Sequence, residues 1–436
     1  MSNNIHELKI SLDTAWILIM GLFVFFMNSG FAMLETGFCR VKNAVNLLSK
    51  NLSVFFISSF AFWVIGFSIM FGQASQYIGI KSAVGLFLSK HIDFYSALKG
   101  IDIPLEALFF FQMVFAGTAA TIISGAIAER TKFISFLIFT FFMTSLIYPI
   151  AGHWLIGKGI LYQIGVRDFA GSLMVHTVGG ISALAGAIVV GQRVGKYNKD
   201  LSPNAILGHS LPMITLGGFI MWLGWFGFNL GCTFGFSPKL CAHIALCTNA
   251  SGVMGGLSAM FLSWYLLRKP DLSMTINGLL GGLVASTGTC AFVSLQSAHI
   301  IGFIAGILVV ISILLFERFV HIDDPVGAIS VHGVGGIWGA LAVGLFASNL
   351  PLQYGRIPHP EPGLFFGGGT EQLVTQMLGI GSIVWWAFTS SFIVWVLLKH
   401  TIGIRVSQTA EVDGLDVAEH GMEAYPGFSG SGEGLL

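Results

Sequence analysis

Charge is scarce in this chain, because Asp, Glu, Lys and Arg make up only 10% of its 436 residues. Soluble domains carry roughly a quarter charged residues, so the deficit excludes an ordinary soluble protein. The 21 basic residues balance the 21 acidic residues, and this zero net charge leaves no basic footprint for a nucleic-acid partner.

The sequence also has few cysteines and no cysteine motif. There are five cysteines, an odd number, and none of them forms a CxxC pair. Most lie within or beside apolar stretches, so we expect buried thiols and neither a disulfide framework nor a zinc site. We expect no cofactor.

What the sequence has in abundance is apolar residues and glycine. Hydrophobic residues make up 54% of the chain, the mean hydropathy is +0.81, and there are 56 glycines. Glycine lets membrane helices approach closely, so this composition is typical of a polytopic protein of the lipid bilayer. The first ten residues carry no basic region leading into a short apolar core, so we interpret the run after Asp13 as a span rather than a signal peptide.

A membrane-spanning helix requires about 20 mostly apolar residues. Apolar runs between charged or polar breaks predict an all-α integral membrane protein with eleven such helices. Their approximate bounds are 13–38, 52–72, 105–128, 133–152, 169–191, 210–232, 243–266, 272–293, 298–316, 326–348 and 373–398.

An odd number of spans places the two termini on opposite sides of the membrane. With the N-terminus outside, most Lys and Arg residues fall in the inner segments, as the positive-inside rule requires. We therefore predict an outer N-terminus and a cytoplasmic C-terminus in the plasma (cell inner) membrane. The long outer loops are then 73–104 and 349–372. The polar tail after Lys399 is either a solvated segment or a regulatory docking segment.

Two nearly identical segments stand out within the apolar runs. "DFAGSLMVHTVGGI" begins at Asp168, and "DPVGAISVHGVGGI" begins at Asp324, five predicted spans later. Because five is odd, the second copy must be upside down relative to the first, as in transporters built from inverted repeats. The predicted organisation is therefore a first half, an inverted second half, an outer loop with a last helix, and a cytoplasmic tail, at residues 1–191, 192–348, 349–398 and 399–436.

A histidine stands eight residues after each Asp, which places His176 and His332 about 12 Å into the membrane from opposite sides. Both then reach the middle of a core roughly 30 Å thick. One such histidine alone is usually an ordinary core residue, whereas ionisable groups at membrane depth tend to mark pathways. Two neutral imidazoles suit a narrow pore for small polar molecules. A metal enzyme is disfavoured, because no carboxylate or thiolate joins the histidines in their motifs.

Aromatic residues cluster at the outer ends of two spans, in "FFFQMVFAGTAA" from Phe109 and "GWFGFNLGC" from Gly224. Phe115, Trp225 and Phe228 either converge at one mouth or serve as ordinary interfacial and packing residues. An aromatic mouth attracts cations. Because burial disfavours a protonated amine, a substrate that is cationic in water and neutral in the pore fits this arrangement, and ammonium is such a substrate.

Seven segments of the chain together resemble the ammonium transporter family, in the Amt branch of the Amt/Mep/Rh superfamily. The resemblance covers nearly the whole length. The segments are "DTAW" from residue 13, "GFAMLETGFCRVKN" from 30, "SGAIAERTKF" from 124, "DFAGSLMVHTVGG" from 168, "GWFGFN" from 224, "DDPVGAISVHGVGG" from 323 and "GLDVAEHGMEAYP" from 414.

The resemblance implies a homotrimer of eleven-helix subunits, each with its own pore for ammonium or ammonia and for the analogue methylammonium. It implies a transporter and not an enzyme. It also implies that a PII-type signalling protein can bind at the cytoplasmic face, near the tail. Asp168 matches an acid that supports an outer recruitment site. The implied pathway residues are the twin histidines, two stacked gate phenylalanines, a wall tryptophan and a wall threonine, namely His176, His332, Phe115, Phe228, Trp225 and Thr287.

Two positions depart from the family pattern at the outer site. Ile156 in "HWLIG" stands where the family has the second Trp of an "HWxW" stretch, and Trp154 cannot be assumed to replace it. Cys232 stands where the family usually has Ser, and a thiol is the weaker hydrogen-bond partner. Both changes weaken outer recruitment, so an ammonium sensor with little flux stays open as the alternative to a transporter.

Overall fold

The computed structural model describes residues 2–72, 75–80, 86–88, 94–352 and 358–426. Within them the chain is helical, and the only β pairing is two isolated bridges, Thr131 with Arg405 and Tyr197 with Pro203. The predicted all-α class is therefore confirmed. The predicted outer loops and the predicted tail lie partly outside the described residues.

Within the described residues, eleven long helices follow one another. They are α1 Asn4–Phe38, α2 Val41–Phe71, α3 Leu105–Ala126, α4 Phe133–Gln163, α5 Ser172–Val190, α6 Leu211–Gly231, α7 Pro238–Leu267, α8 Leu272–Thr289, α9 Leu295–Val320, α10 Ile329–Phe346 and α11 Glu371–Thr401. In the described part of the chain, ten are long and apolar enough to cross a membrane, and α8 is the exception. It matches the predicted span 272–293 but is rich in Gly, Ser and Thr, and most of it is buried among other helices.

Helix α2 begins well before the predicted residue 52, because its polar first turns are buried rather than solvated. Lys50 is fully buried and donates to the carbonyl of Thr131 at 3.1 Å. The backbone N–H of Asn46 donates to Asp416 at 2.8 Å. Hydrogen bonds to distant parts of the chain thus stabilise the polar start of α2, which the apolar content alone does not predict to be helical.

The chain after α11 folds back onto the helix ends. A short helix, α12 Gln408–Asp413, is followed by a single turn at Asp416–His420. Glu411 and Asp416 are almost completely buried, and Glu419 accepts the backbone N–H of Phe133 at 3.1 Å. Glu411, Asp416 and Glu419 therefore contact other parts of the protein, whereas Asp413 and Glu423 are exposed. The role of the tail as a regulatory docking segment stays a prediction.

Helices α5 and α10 form the centre of the fold. Each begins with a π-helical turn that contains the histidine, Ser172–Thr177 in α5 and Ile329–Val334 in α10, and each turn packs against the body of the other helix. The backbones touch, since a Cβ added to Gly180 would lie 2.1 Å from the backbone nitrogen of Gly333. The two helices thus cross in opposite directions with their histidines at the crossing. The division into inverted halves stays a prediction.

A buried ion cluster joins the end of α3 to the segments that follow α5 and precede α10. Arg193 forms two parallel hydrogen bonds with Asp323, each 2.8 Å, and a third bond with Glu129, also 2.8 Å. Arg40 pairs with the same Glu129 carboxylate at 3.0 Å. Burial raises the pKa of Asp323, but Arg130 and Arg193 outweigh burial and hold that pKa well below its usual range. The cluster therefore fixes the chain entering α10 as a charged network.

Replacing Arg193 by Ala should destabilise the protein strongly, because Glu129 and Asp323 would remain buried without their shared partner. Loss of one member of a buried pair typically costs about 3–5 kcal/mol. Thermal unfolding of the purified protein in mild detergent measures the effect. Arg318→Ala is the matched control, since Arg318 is exposed at the end of α9. An unchanged melting temperature for Arg193→Ala would contradict this role of the cluster.

Candidate functional site

A cavity of about 910 Å³ opens between α1, the end of α6 and the segment that links α4 to α5. We call it the mouth cavity. It brings together the three residues predicted to form the outer site, Ile156, Asp168 and Cys232. Its wall is mixed in charge, with Lys158 and Arg167 as well as Asp168, so it is not a uniformly acidic surface.

Trp154 does not compensate for Ile156. Its indole N–H donates to the carbonyl of Tyr77 at 2.9 Å, and its ring packs against Trp386 at a centroid distance of 5.5 Å. Trp154 is not among the residues that line the mouth cavity, whereas Ile156 is. The mouth therefore has an aliphatic side chain where an indole would offer a cation a π face.

Asp168 precedes α5 and caps its first turn. One carboxylate oxygen, Oδ2, accepts the backbone N–H groups of Leu173 at 2.9 Å and Met174 at 2.8 Å. The other oxygen, Oδ1, is buried and has no hydrogen-bond partner among the described residues. In the twin motif, Asp324 uses both oxygens, accepting from Gly327 at 3.0 Å and Ile329 at 2.7 Å. Of the two capping acids, only Asp168 thus has a buried oxygen without a hydrogen-bond partner among the described residues.

The electrostatics of Asp168 follow from this geometry. Burial raises the pKa of Asp168 to about 6, although the backbone N–H groups of Met174 and Leu173 oppose the increase by stabilising the carboxylate. Above that pH the group is mainly ionised, and it then places a negative charge beside the mouth cavity. Below that pH it is mainly protonated and neutral.

Two stacked aromatic rings lie beside His176. Phe115 of α3 and Phe228 of α6 stack with centroids 3.9 Å apart and planes 22° apart. Phe228 in turn contacts the ring of His176 at 5.5 Å. All three side chains are completely buried. The imidazole of His176 therefore lies against a buried pair of apolar rings.

The two deep histidines meet directly. Nδ1 of His176 lies 3.1 Å from Nδ1 of His332, and the rings are nearly parallel, 22° apart. One Nδ1 must carry the proton and the other must accept it, so the two tautomers are coupled. The donor histidine then has a bare Nε2, and the acceptor histidine has a protonated Nε2. The pair always presents one donor and one acceptor at its two outer nitrogens.

Trp225 and Thr287 hold one wall of this histidine site. The ring of Trp225 stacks on His176 at a centroid distance of 5.2 Å. Its indole N–H donates to Thr287 Oγ1 at 2.9 Å, and that hydroxyl donates to the carbonyl of Leu283, also at 2.9 Å. The hydroxyl of Thr287 is therefore engaged in orienting the tryptophan that packs against the imidazole.

On the far side of the pair lies a second, much smaller cavity of about 20 Å³, which we call the His332 cavity. Phe31 packs near His332 at 5.8 Å and contributes to its apolar wall. Glu35 and Asn277 supply polar groups. Glu35 lies at the end of α1, which ends at Phe38, and its side chain is buried there. The acid within the otherwise apolar stretch "GFAMLETGF" was the available signal.

Comparison with known proteins identifies this arrangement. A model of the Ammonium Transporter Family matches residues 15–425. The chain belongs to the ammonium transporter family. It is 42% identical to the ammonium transporter Amt2 of Archaeoglobus fulgidus, over 96% of this chain and 89% of that protein.

Solved structures agree with this assignment. A protein described as a sensor Amt protein superimposes with a TM-score of 0.87 at 38% identity, covering 95% of this chain and all of the other. Mep2 of Candida albicans superimposes with a TM-score of 0.84 at 26% identity, covering 95% and 93% of the two chains. The predicted family and fold are confirmed, and the chain is a multi-pass membrane transporter of ammonium rather than an enzyme.

The roles of charge and capping at Asp168 can be separated by two substitutions. Asp168→Asn keeps an oxygen that accepts from Leu173 and Met174 and places a neutral NH₂ where Oδ1 stands, so it should preserve the fold. If the charge recruits the cation, this variant should lose about tenfold or more in uptake rate at low substrate, equivalent to about 1.4 kcal/mol. Asp168→Ala removes the cap as well and should also lower the melting temperature. Radiolabelled methylammonium uptake at equal surface expression measures both.

The pH dependence provides an internal control. Because the pKa of Asp168 is about 6, wild-type uptake should fall as the outer pH decreases from about 8 to about 5. The Asn variant should be low and flat over the same range. Wild-type rates for both variants, or an equally steep pH profile for Asp168→Asn, would contradict an electrostatic role for Asp168.

Proposed function

We propose that this chain moves ammonium across the plasma membrane by admitting the cation at the mouth cavity and passing neutral ammonia along the His176–His332 pair. The observation that carries the proposal is the position of that pair. It lies between two cavities, in contact with apolar rings on both sides and with almost no exposure to solvent. This position suits a role in substrate passage through the subunit better than a role in core packing.

Recruitment begins at the mouth cavity. The ionised carboxylate of Asp168 favours a cation there without contacting it. Cys232 offers only a weak hydrogen-bond partner, and Ile156 offers no π face. Cation–π attraction contributes about 0.5–2 kcal/mol where an aromatic wall is present. This mouth lacks part of that attraction, so it depends more on charge and should bind ammonium weakly.

The stacked Phe115 and Phe228 rings select the form that passes. A charged group at membrane depth is costly, by about 2.5–3.5 kcal/mol on insertion scales, whereas ammonia is small and neutral. Ammonium therefore transfers a proton to water of the outer medium at the mouth, and neutral ammonia continues to the rings. Beyond them, the coupled imidazoles present one donor and one acceptor, which suits a molecule with both N–H groups and a lone pair.

Orientation and assembly complete the proposal. The mouth cavity faces outward, the N-terminus lies outside and the tail is cytoplasmic, as the distribution of Lys and Arg favours. Helices α1–α5 and α6–α10 form two inverted halves, supported by the matching Asp–His motifs and π-helical turns of α5 and α10. Three subunits assemble into a homotrimer, and a PII-type protein binds the cytoplasmic face beside the docked tail.

A second candidate function is ammonium sensing without appreciable flux. The likeness to the sensor Amt protein, at a TM-score of 0.87, favours it, and so does the weakened mouth. Uptake of radiolabelled methylammonium by cells expressing the chain separates the two functions. Saturable uptake supports the transporter, and uptake no greater than that of cells without the chain, at verified surface expression, supports the sensor.

Replacing His176 or His332 by Ala should change flux or selectivity, because each substitution removes the shared Nδ1–Nδ1 hydrogen bond and leaves an apolar gap. We expect methylammonium uptake to fall about tenfold or more in each variant. His299→Ala is the matched control, since His299 is exposed and its Nδ1 bonds only within its own helix turn. Normal uptake, with normal selectivity over sodium, in both single variants would exclude a pathway role for the pair.

The assembly proposal has a separate test. Native mass spectrometry of the purified protein in mild detergent should show a mass of three chains, each about 46.8 kDa. Membrane interfaces of this kind are maintained by packing rather than by exposed charges, so the trimer should persist at high salt. Monomers alone, at protein concentrations where the melting curve is cooperative, would refute the homotrimer.

A further inference from the structure

Glu35 is a carboxyl group buried near the far end of α1, with 2% of its surface exposed. One of its oxygens, Oε2, accepts the side-chain N–H of Asn51 at 2.9 Å. Acidic residues at membrane depth are costly and tend to mark substrate or ion pathways. The transport steps proposed above, at the mouth cavity, the stacked rings and the histidine pair, assign no role to Glu35.

Asn51 fixes which oxygen of Glu35 is available. Its amide nitrogen also donates to the carbonyl of Leu47 at 3.1 Å, and its amide oxygen accepts the hydroxyl of Thr121 at 2.7 Å. Since a backbone carbonyl can only accept, the nitrogen must face Leu47, and the same nitrogen then faces Glu35 Oε2. Oε2 is committed as an acceptor. Oε1 lies on the side of Gly125 and Val326, since a Cβ added to Gly125 would be 3.4 Å from Oε1 and 2.4 Å from Cγ2 of Val326. Val326 lines the cavity beside His332, as Glu35 does, so Oε1 faces a wall of that cavity.

The space next to Glu35 is the His332 cavity. Its volume of about 20 Å³ holds one molecule of the size of water or ammonia. Asn277 donates its side-chain N–H to the carbonyl of Val326 at 3.2 Å, which leaves its amide oxygen to accept. His332 uses Nδ1 in the bond to His176 and keeps Nε2 for another partner. The polar groups bordering the cavity are thus a carboxylate, an amide oxygen and an imidazole nitrogen.

We propose that the His332 cavity is a second ammonium subsite, in which the Glu35 carboxylate is the counter-charge, and the proposal rests on the transport function proposed above. Ammonium has four N–H donors and no acceptor, which matches Glu35 Oε1, Asn277 Oδ1 and His332 Nε2. A water molecule fits the same volume but provides no charge to offset the buried carboxylate. Asn51 is the positioning residue that directs Oε1 to the site.

The subsite also accounts for how ammonia regains a proton. When ammonia arrives while Glu35 is protonated on Oε1, the O–H bond breaks and an N–H bond forms, which leaves a carboxylate paired with ammonium. Departure of ammonium towards the cytoplasm exposes the carboxylate to water from that side. That water gives a proton to the carboxylate and leaves to the cytoplasm as hydroxide. Each cycle therefore carries one ammonia across, with one proton released outside and one taken up inside.

The test compares Glu35→Gln and Glu35→Asp in purified protein reconstituted in liposomes, with Glu106→Gln as the control at an exposed acid of α3. The initial rate of isotopically labelled ammonium uptake should fall about tenfold in Glu35→Gln, with an unchanged melting temperature. Glu35→Asp retains the charge and should recover most of the rate, and Glu106→Gln should match the wild type. A purely structural role for Glu35 would not be rescued by Asp in this way. Wild-type uptake by Glu35→Gln would overturn the subsite.

A binding measurement tests the subsite independently of transport. Infrared difference spectra of the wild-type protein in lipid, recorded as sodium chloride is exchanged for ammonium chloride, should show a change in the carboxyl bands. Glu106→Gln should retain that change, and Glu35→Asp should shift it. If the wild type moves no ammonium at all, the transport proposal fails while this spectrum still tests the subsite. A wild-type spectrum without an ammonium-specific carboxyl change overturns the subsite, whether or not Glu35→Gln folds.

Discussion

The hydrogen bond between His176 and His332 is the constraint on which the rest of the structure depends. It forms only if α5 and α10 cross with their backbones in contact, and the approach of Gly180 to Gly333 permits that crossing. Asp168 and Asp324 then cap the first turns of the two helices, and the Arg193 cluster fixes the chain entering α10. The glycine contact, the two Asp caps and the Arg193 cluster together hold two neutral imidazoles at a fixed separation in an apolar environment.

The sequence predicts those features that depend on spacing along one helix. Eight residues from an Asp give the depth of His176, and the same spacing gives the depth of His332, so the pair was predictable. The sequence does not predict which neighbouring helix a side chain faces, because spacing along one helix carries no information about its neighbours. Trp154 turns to Trp386 rather than to the mouth, and only the structure shows this.

Long-range contacts account for most of the remaining differences. The polar start of α2 is helical because Asn46 and Lys50 are satisfied by the tail and by Thr131, which lie far away in the sequence. Glu35 lies at the end of α1, yet its carboxyl group is buried, with Asn51 and the His332 cavity beside it. A buried polar group requires partners, and a single sequence does not reveal which distant residues provide them.

The central claim is that the substrate crosses the histidine pair as a neutral base. Rubidium resembles ammonium in charge and size but has no proton to lose, so it tests the claim directly. In liposomes containing the purified protein, we predict saturable uptake of radiolabelled methylammonium and no rubidium uptake above that of empty liposomes. Rubidium uptake at a rate comparable to that of methylammonium would contradict the account, because a permanent cation would then have passed the Phe115–Phe228 stack and both imidazoles.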